Sequence, residues 1–166
     1  MSLPRATLAR YITPGCTFVE TGTRWGDRLI AAYELGAEML FSCETDAAML
    51  DIARRHVADA VRGDVPCDIR GWQSVQMLDA LKDQSAKDAV VFLDAHTETE
   101  SWIGEELAMI AGWKNKPRII LIDDVRLWKG WGVDRSDVIA ILATMGYAAN
   151  YADGIEPGDV MVGTLR

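Results

Sequence analysis

The 166-residue sequence predicts an α/β fold: a doubly wound, mostly parallel sheet of seven strands, helices on both faces, and an antiparallel last strand. Three observations carry this expectation. Short β-branched apolar runs alternate with longer segments of helical period, which is the pattern of a parallel sheet covered by helices. The runs "AVVFLD" and "RIILID" are apolar at consecutive positions, as strands buried on both faces must be. The closing segments "YAANYA" and "DVMVGTL" leave no room for a helix between them, so they are expected to pair antiparallel.

Each element has a local reason. "TFVE" reads as the first strand, followed by a helix over 27–35 in which Leu29, Ile30 and Tyr33 share a face and Gly36 supplies a stop. "MLFSCE" is the second strand. Asp46 caps the helix "AAMLDIARRHVADAV", where Met49, Leu50, Ala53 and Val57 recur at core spacing. "CDIRG" is a weaker third strand before a short helix over 75–81, and a helix over 105–113 separates the two buried central strands. The helix "SDVIAILATM" ends at Gly146. There is no repeat, low-complexity tract or linker, so residues 1–166 make one domain with enough interior for a real core.

Composition narrows the function. The chain is 49% apolar and 25% charged, a globular balance, and its net charge of -8 argues against nucleic acid or an anionic membrane as partner. Cys16, Cys43 and Cys67 are odd in number and lack CxxC spacing, so neither a disulfide framework nor a zinc site is indicated. The opening residues lack the apolar core of a signal peptide, and no run reaches membrane-spanning length. A soluble, cytoplasmic protein is expected.

Open sheets of this class bind ligands at the carboxyl ends of their strands. At the first such end, "FVETGTRWGDRL" places Glu20 beside Gly22 and Gly26, where glycine lets the backbone approach a ligand and the next helix offers free N–H groups. A dinucleotide fingerprint would need glycines at 22, 24 and 27, and the chain has Gly22, Arg24 and Asp27. The pattern that does match is acid-x-Gly-x-x-x-Gly. With it the chain resembles the class I S-adenosylmethionine-dependent methyltransferases, a Rossmann-like family. The resemblance implies that Glu20, Gly22, Gly26 and Thr23 hold the amino acid end of the cofactor, and Arg24 departs from the family's commonest form. Glu44 ends the second strand, where folds of this kind place a carboxylate for both ribose hydroxyls; by resemblance it is the ribose ligand, with Gln73 and Ser74 in "RGWQS" at the adenine. The plainer alternative is an ordinary strand-to-helix turn, a solvated Glu44 and a helix-capping Ser74.

The two central strands both end in acids, Asp94 on one and Asp123 with Asp124 on the other. If the strands are neighbours these ends lie about 5 Å apart, and carboxylates that close need a proton, hydrogen bonds or a shared cation. Hard oxygen ligands favour magnesium, manganese or calcium. Here the resemblance narrows to small-molecule O-methyltransferases of the catechol and macrocin types and to cephalosporin hydroxylase-like proteins, and it implies a divalent cation held by Asp94, Asp123 and Asp124. Strand alternation sends Asp123 and Asp124 to opposite sides, so only one reaches the metal unless the chain bends there. His96 is a candidate base for a substrate proton, against a structural role. Trp128 and Trp131 in "RLWKGWGVDR" are candidates for an aromatic wall over the substrate, against core packing. The expected function is methyl transfer from S-adenosylmethionine to a hydroxyl of a small molecule; the alternatives are a degenerate binding or assembly module of the same fold, or a metal-dependent hydrolase using the same acids. No segment is left over for a cap, so selectivity falls to loops or to a partner subunit, including a homo-oligomer.

Overall fold

A computed structural model describes residues 3–84 and 88–166. Its elements are α1 (Arg5–Leu8), β1 (Thr17–Thr21), α2 (Asp27–Glu34), β2 (Met39–Cys43), α3 (Ala47–Val61), β3 (Cys67–Arg70), α4 (Ser74–Leu81), β4 (Val90–Leu93), α5 (Ile103–Ala111) and β5 (Ile119–Ile122). A one-turn 3-10 helix (Trp128–Trp131), α6 (Arg135–Thr144), β6 (Tyr147–Ala152) and β7 (Val160–Leu165) complete the chain. The seven strands lie in the order β3-β2-β1-β4-β5-β7-β6. β1 to β5 are parallel, and β7 runs antiparallel to both β5 and β6. The expected doubly wound sheet with an antiparallel close is therefore the observed one.

Strand alternation divides the interior in two. Phe18, Leu40, Phe92 and Leu121 face one side and pack under α2 and α3, while Val19, Val91, Ile120 and Ile122 face the other and pack under α4, α5 and α6. Asp46 caps α3 by accepting from the N–H groups of Ala48 and Met49 at 2.8 and 2.9 Å. Gln73 caps α4 through a reciprocal box with Gln76.

The helix expected over 105–113 begins earlier, at Ile103. α1 and the 3-10 turn were not expected, because a single turn is too short to show a helical period. The winding reverses between β1 and β4, whose last residues Thr21 and Leu93 pair, and Leu93 pairs in turn with Ile122 of β5. That brings three strand ends to one place. Among the described residues no helix is long and apolar enough to cross a membrane.

Candidate active site

A cavity of about 950 Å³ opens at these strand ends. It sits at the upper end of the roughly 300 to 1,000 Å³ usual for small-molecule sites. Gly22, Thr23, Glu44, Gln73, Ser74, Asp94, His96 and Asp124 all line it.

The turn after β1 is built from the backbone. Gly22 has φ +73°, and a Cβ there would lie 2.8 Å from the carbonyl oxygen of Asp94, so only glycine lets the turn seat on the end of β4. Arg24 stands where a third glycine was sought and adopts φ +54° itself. It is exposed and lines the cavity, and its N–H donates to Glu44 Oε2 at 2.9 Å. Glu44 Oε1 accepts from the Asp46 N–H at 3.0 Å, which fixes this carboxylate at the cavity edge. Gly26, φ +81°, does not line the cavity: a Cβ there would lie 2.5 Å from Val57 Cγ2, so this glycine lets α2 start against α3.

Glu20 is also displaced from its expected role. It is fully buried behind the cavity wall, accepting from Thr23 Oγ1 at 2.8 Å and from Arg28 Nε at 2.7 Å. The Arg28 guanidinium continues to Asp94 and lies over the Phe92 ring. Burial raises the Glu20 pKa and Arg28 opposes the rise; burial alone would lower that of Arg28, but Glu20 and Asp94 outweigh it and raise it. Arg28, not Glu20, reaches the cavity. A glutamate inside a strand buried on both faces requires a cationic partner, and that requirement was the available signal for Arg28.

The acids after β4 and β5 are held by side chains. His96 Nε2 lies 2.9 Å from Asp124 Oδ2 and 3.7 Å from Asp94 Oδ1, while its Nδ1 lies 2.9 Å from the Thr97 carbonyl oxygen. Both ring nitrogens face acceptors, so both carry hydrogens and the ring is an imidazolium. The hydrogen bond to Asp124 raises its pKa. In this arrangement His96 has no lone pair with which to take a substrate proton, which corrects the expectation of a histidine base.

Asp124 bends into the cavity at φ +56° and also binds Arg126 Nη1 at 2.7 Å. Burial would raise its pKa, but His96 and Arg126 bring it below the ordinary range. Arg126 pairs in addition with Asp159 at the start of β7. The Asp94 pKa is raised by burial against the pull of Arg28, with Asp123 and Asp124 adding to the rise.

Asp123 lines a second, small cavity of about 10 Å³ together with Glu106, Asp94 and His96. That is the size of one water. Glu106 is fully buried, and burial pushes its pKa up to about 7 against the Ser74 and Thr21 hydroxyls.

The expected cation ligands Asp94, Asp123 and Asp124 therefore do not share one cavity. Asp94, His96 and Asp124 do converge, with donor atoms within 4.8 Å of one another, but Arg28 sits on Asp94, and the His96 imidazolium and Arg126 sit on Asp124. Asp123, Asp124 and Asp159 form a second cluster of the same span, and there Arg126 sits on both Asp124 and Asp159, so the chain's own cations occupy part of each acidic cluster.

The tryptophans divide as follows. Trp128 is fully buried and donates to the Asp123 carbonyl oxygen at 2.9 Å, so it is core and not a substrate wall. Trp131 does not line the main cavity; its ring lies 4.7 Å from that of His96, and its N–H donates to the Glu98 carbonyl oxygen at 3.2 Å. It backs the histidine. Trp25, Trp72 and Trp102 line the cavity instead, and Trp113 is buried on Leu78.

No family model and no curated protein matches the sequence. Solved structures do match in shape. The magnesium protoporphyrin IX methyltransferase of Synechocystis, with S-adenosylmethionine bound, superimposes with a TM-score of 0.69 at 12% identity, over 98% of this chain and 78% of that one. A precorrin-6y methyltransferase from Geobacter metallireducens gives 0.64 at 15%, over 98% and 87%. A ribosomal protein L11 methylase from Lactobacillus delbrueckii gives 0.61 at 16%, over 98% and 78%. Their acceptors differ widely, so likeness of fold leaves the acceptor open. What this chain shares with them is the seven-stranded, Rossmann-like fold of the S-adenosylmethionine-dependent methyltransferases.

Proposed function

We propose that the protein transfers a methyl group from S-adenosylmethionine to a hydroxyl of a small molecule. The observation that carries this reading is the Gly22 turn seated against β4 with Glu44 anchored beside it. Glu44 would take the ribose hydroxyls, Gln73 and Ser74 the adenine, and the backbone of Gly22 and Thr23 the amino acid end. Glu20 acts from behind by fixing Arg28.

The charge balance supports the same ligand. Glu20, Asp94, Glu106, Asp123, Asp124 and Asp159 have side chains buried at this end of the sheet, and the cations paired within that group are Arg28, His96 and Arg126. Glu44 and Asp124 line the cavity, carboxylates at a site favour a cationic ligand, and S-adenosylmethionine carries both a sulfonium and an ammonium. When bound it supplies an activated methyl group, leaving a neutral thioether as the new carbon–oxygen bond forms.

The residues' work is then positioning and proton acceptance. Asp94 lines the cavity with its pKa raised toward working pH, which suits it to receive the hydroxyl proton. The His96 imidazolium holds Asp124 and the facing edge of Asp94 in place. No divalent cation enters this reading. The three free cysteines suit a reducing, cytoplasmic setting.

Calorimetric titration with S-adenosylhomocysteine tests the proposal. The parent protein should bind, and Glu44→Ala should weaken binding by about 1.5 to 3 kcal/mol, the range for hydrogen bonds to a charged group. Failure of the parent to bind ends the proposal, and unchanged affinity in the variant removes Glu44 from the site.

A further inference from the structure

Among the described residues, eight large hydrophobic side chains are more than a third exposed: Trp25, Met39, Trp72, Leu127, Ile139, Tyr151, Ile155 and Leu165. Scattered singly, such residues need no explanation. Four of them, Trp25, Trp72, Leu127 and Ile155, line one cavity. They fall into two pairs. Trp25 and Trp72 belong to the glycine turn and to the segment after β3, beside the group anchored by Glu44. Leu127 follows β5, and Ile155 lies between β6 and β7, on the side of Asp124.

The second pair is held out by fixed backbone. Ile155 is the most exposed of the eight at 58%, yet its loop is tied at several points. The Gly154 N–H donates to the Glu156 carbonyl oxygen at 3.1 Å, the Gly158 N–H to Asp153 Oδ1 at 3.2 Å, and the Thr7 hydroxyl to the Asp153 carbonyl oxygen at 2.9 Å. At Gly154 a Cβ would lie 3.1 Å from both Asp159 Cβ and Val160 Cγ2, so the loop is pressed onto the start of β7 next to Ile155.

The Leu127 segment is locked to the same strand. The Val125 N–H donates to the Asp159 carbonyl oxygen at 2.9 Å, the Arg126 N–H donates to Asp159 Oδ1 at 3.0 Å, and the Arg126 guanidinium closes on the same carboxylate. One clasp thus sets Leu127 and Ile155 on a common wall, next to the carboxylates that face the acceptor. Apolar groups held rigidly in water at the rim of a cavity are placed to be covered by a ligand.

We propose that Leu127 and Ile155 form the subsite for the apolar body of the acceptor. The acceptor is then an amphipathic molecule: a hydroxyl on an aryl or short alkyl frame, with the hydroxyl toward Asp94 and the frame against Leu127 and Ile155. This rests on the methyl-transfer reading for the hydroxyl's fate, but the subsite is testable without it.

The test is equilibrium binding by calorimetry, with and without S-adenosylhomocysteine, using phenol, 1-naphthol and 1-octanol as probes and lactate as the polar control. At least one apolar probe should bind where lactate does not. Leu127→Asn and Ile155→Asn, both at exposed positions, should keep the parent's melting temperature and S-adenosylhomocysteine affinity while weakening that probe by about tenfold, the loss expected when most of an aliphatic contact is removed. Binding of no apolar probe, or equal binding by parent and both variants, overturns the inference while leaving cofactor binding untouched. If the parent binds the apolar probe and not S-adenosylhomocysteine, the subsite stands and the methyl-transfer reading falls.

Discussion

The turn after β1 and the acids Asp94 and Asp124 after β4 and β5 line one cavity side by side, yet they are built by different means. On the first side, glycine geometry and backbone N–H groups do the fixing: Gly22 against the Asp94 carbonyl, and Glu44 on the N–H groups of Arg24 and Asp46. On the second side, charged side chains hold one another: His96 on Asp124, Arg126 on Asp124 and Asp159, and Arg28 on Asp94. A site fixed by backbone keeps its shape as charges change. A site fixed by ion pairs is only as well ordered as its charge balance, since a buried charge that loses its partner is costly. A cofactor common to many enzymes suits the first construction, and an acceptor particular to one enzyme suits the second.

Arg28 is where the two constructions meet, so its removal has the largest expected effect. Arg28→Ala strands Glu20 and Asp94 in the interior and should cost about 3 to 5 kcal/mol in urea unfolding, the range for breaking a buried pair. A loss of the size seen for surface pairs, below about 1 kcal/mol, would show that the two sides are independent.

Glu106 sharpens the comparison from beneath the acid side. Its folded pKa, about 7, lies above the ordinary 4.5, so the folded state holds the proton more tightly than the unfolded state does. That contribution is complete below the unfolded value and is lost as pH rises through the folded one. Relative to Glu106→Gln, the parent should therefore lose stability across this window, by roughly 3 kcal/mol at most. Melting curves of both proteins over the window give the difference directly, and parallel curves would mean that Glu106 stays ionised.

Gly22→Ala probes the backbone side. The added Cβ meets a carbonyl oxygen, and alanine is strained at positive φ, so a stability loss of about 1 to 3 kcal/mol is expected, together with weaker S-adenosylhomocysteine binding. Undiminished cofactor affinity would place the turn outside the site. The smallest expected effect is that of magnesium. With Arg28, His96 and Arg126 already on the acids, adding it should leave the melting temperature unchanged, whereas a rise that saturates with concentration would return a metal to the acid side.

The same contrast explains what could be read from the sequence. The doubly wound sheet, its antiparallel close and the cap at Asp46 follow from local period and residue type. Gly22 and Glu44 are each at the end of a strand, so their placement follows once the strands do. Arg126 and Asp159 are 33 residues apart and Arg28 and Asp94 are 66 apart, and no local pattern announces either pair. Asp123 and Asp124 are consecutive, and their division between two cavities depends on one left-handed residue. Core packing is the alternative reading for both Trp128 and Trp131, and more so for Trp128. The 3-10 turn sent the first into the core and the second behind His96.

β7, the last strand in the chain, inserts between β5 and β6 and begins beside Asp159. The turn after β1 rests on β1, β2, β4 and the helices that follow the first two, and makes no use of β7. The wall carrying Leu127 and Ile155 depends on β7, which pairs with β5 and brings Asp159 to Arg126. On the proposed reading, the acceptor's wall is thus tied to the pairing of a single strand in a way that the Glu44 side is not.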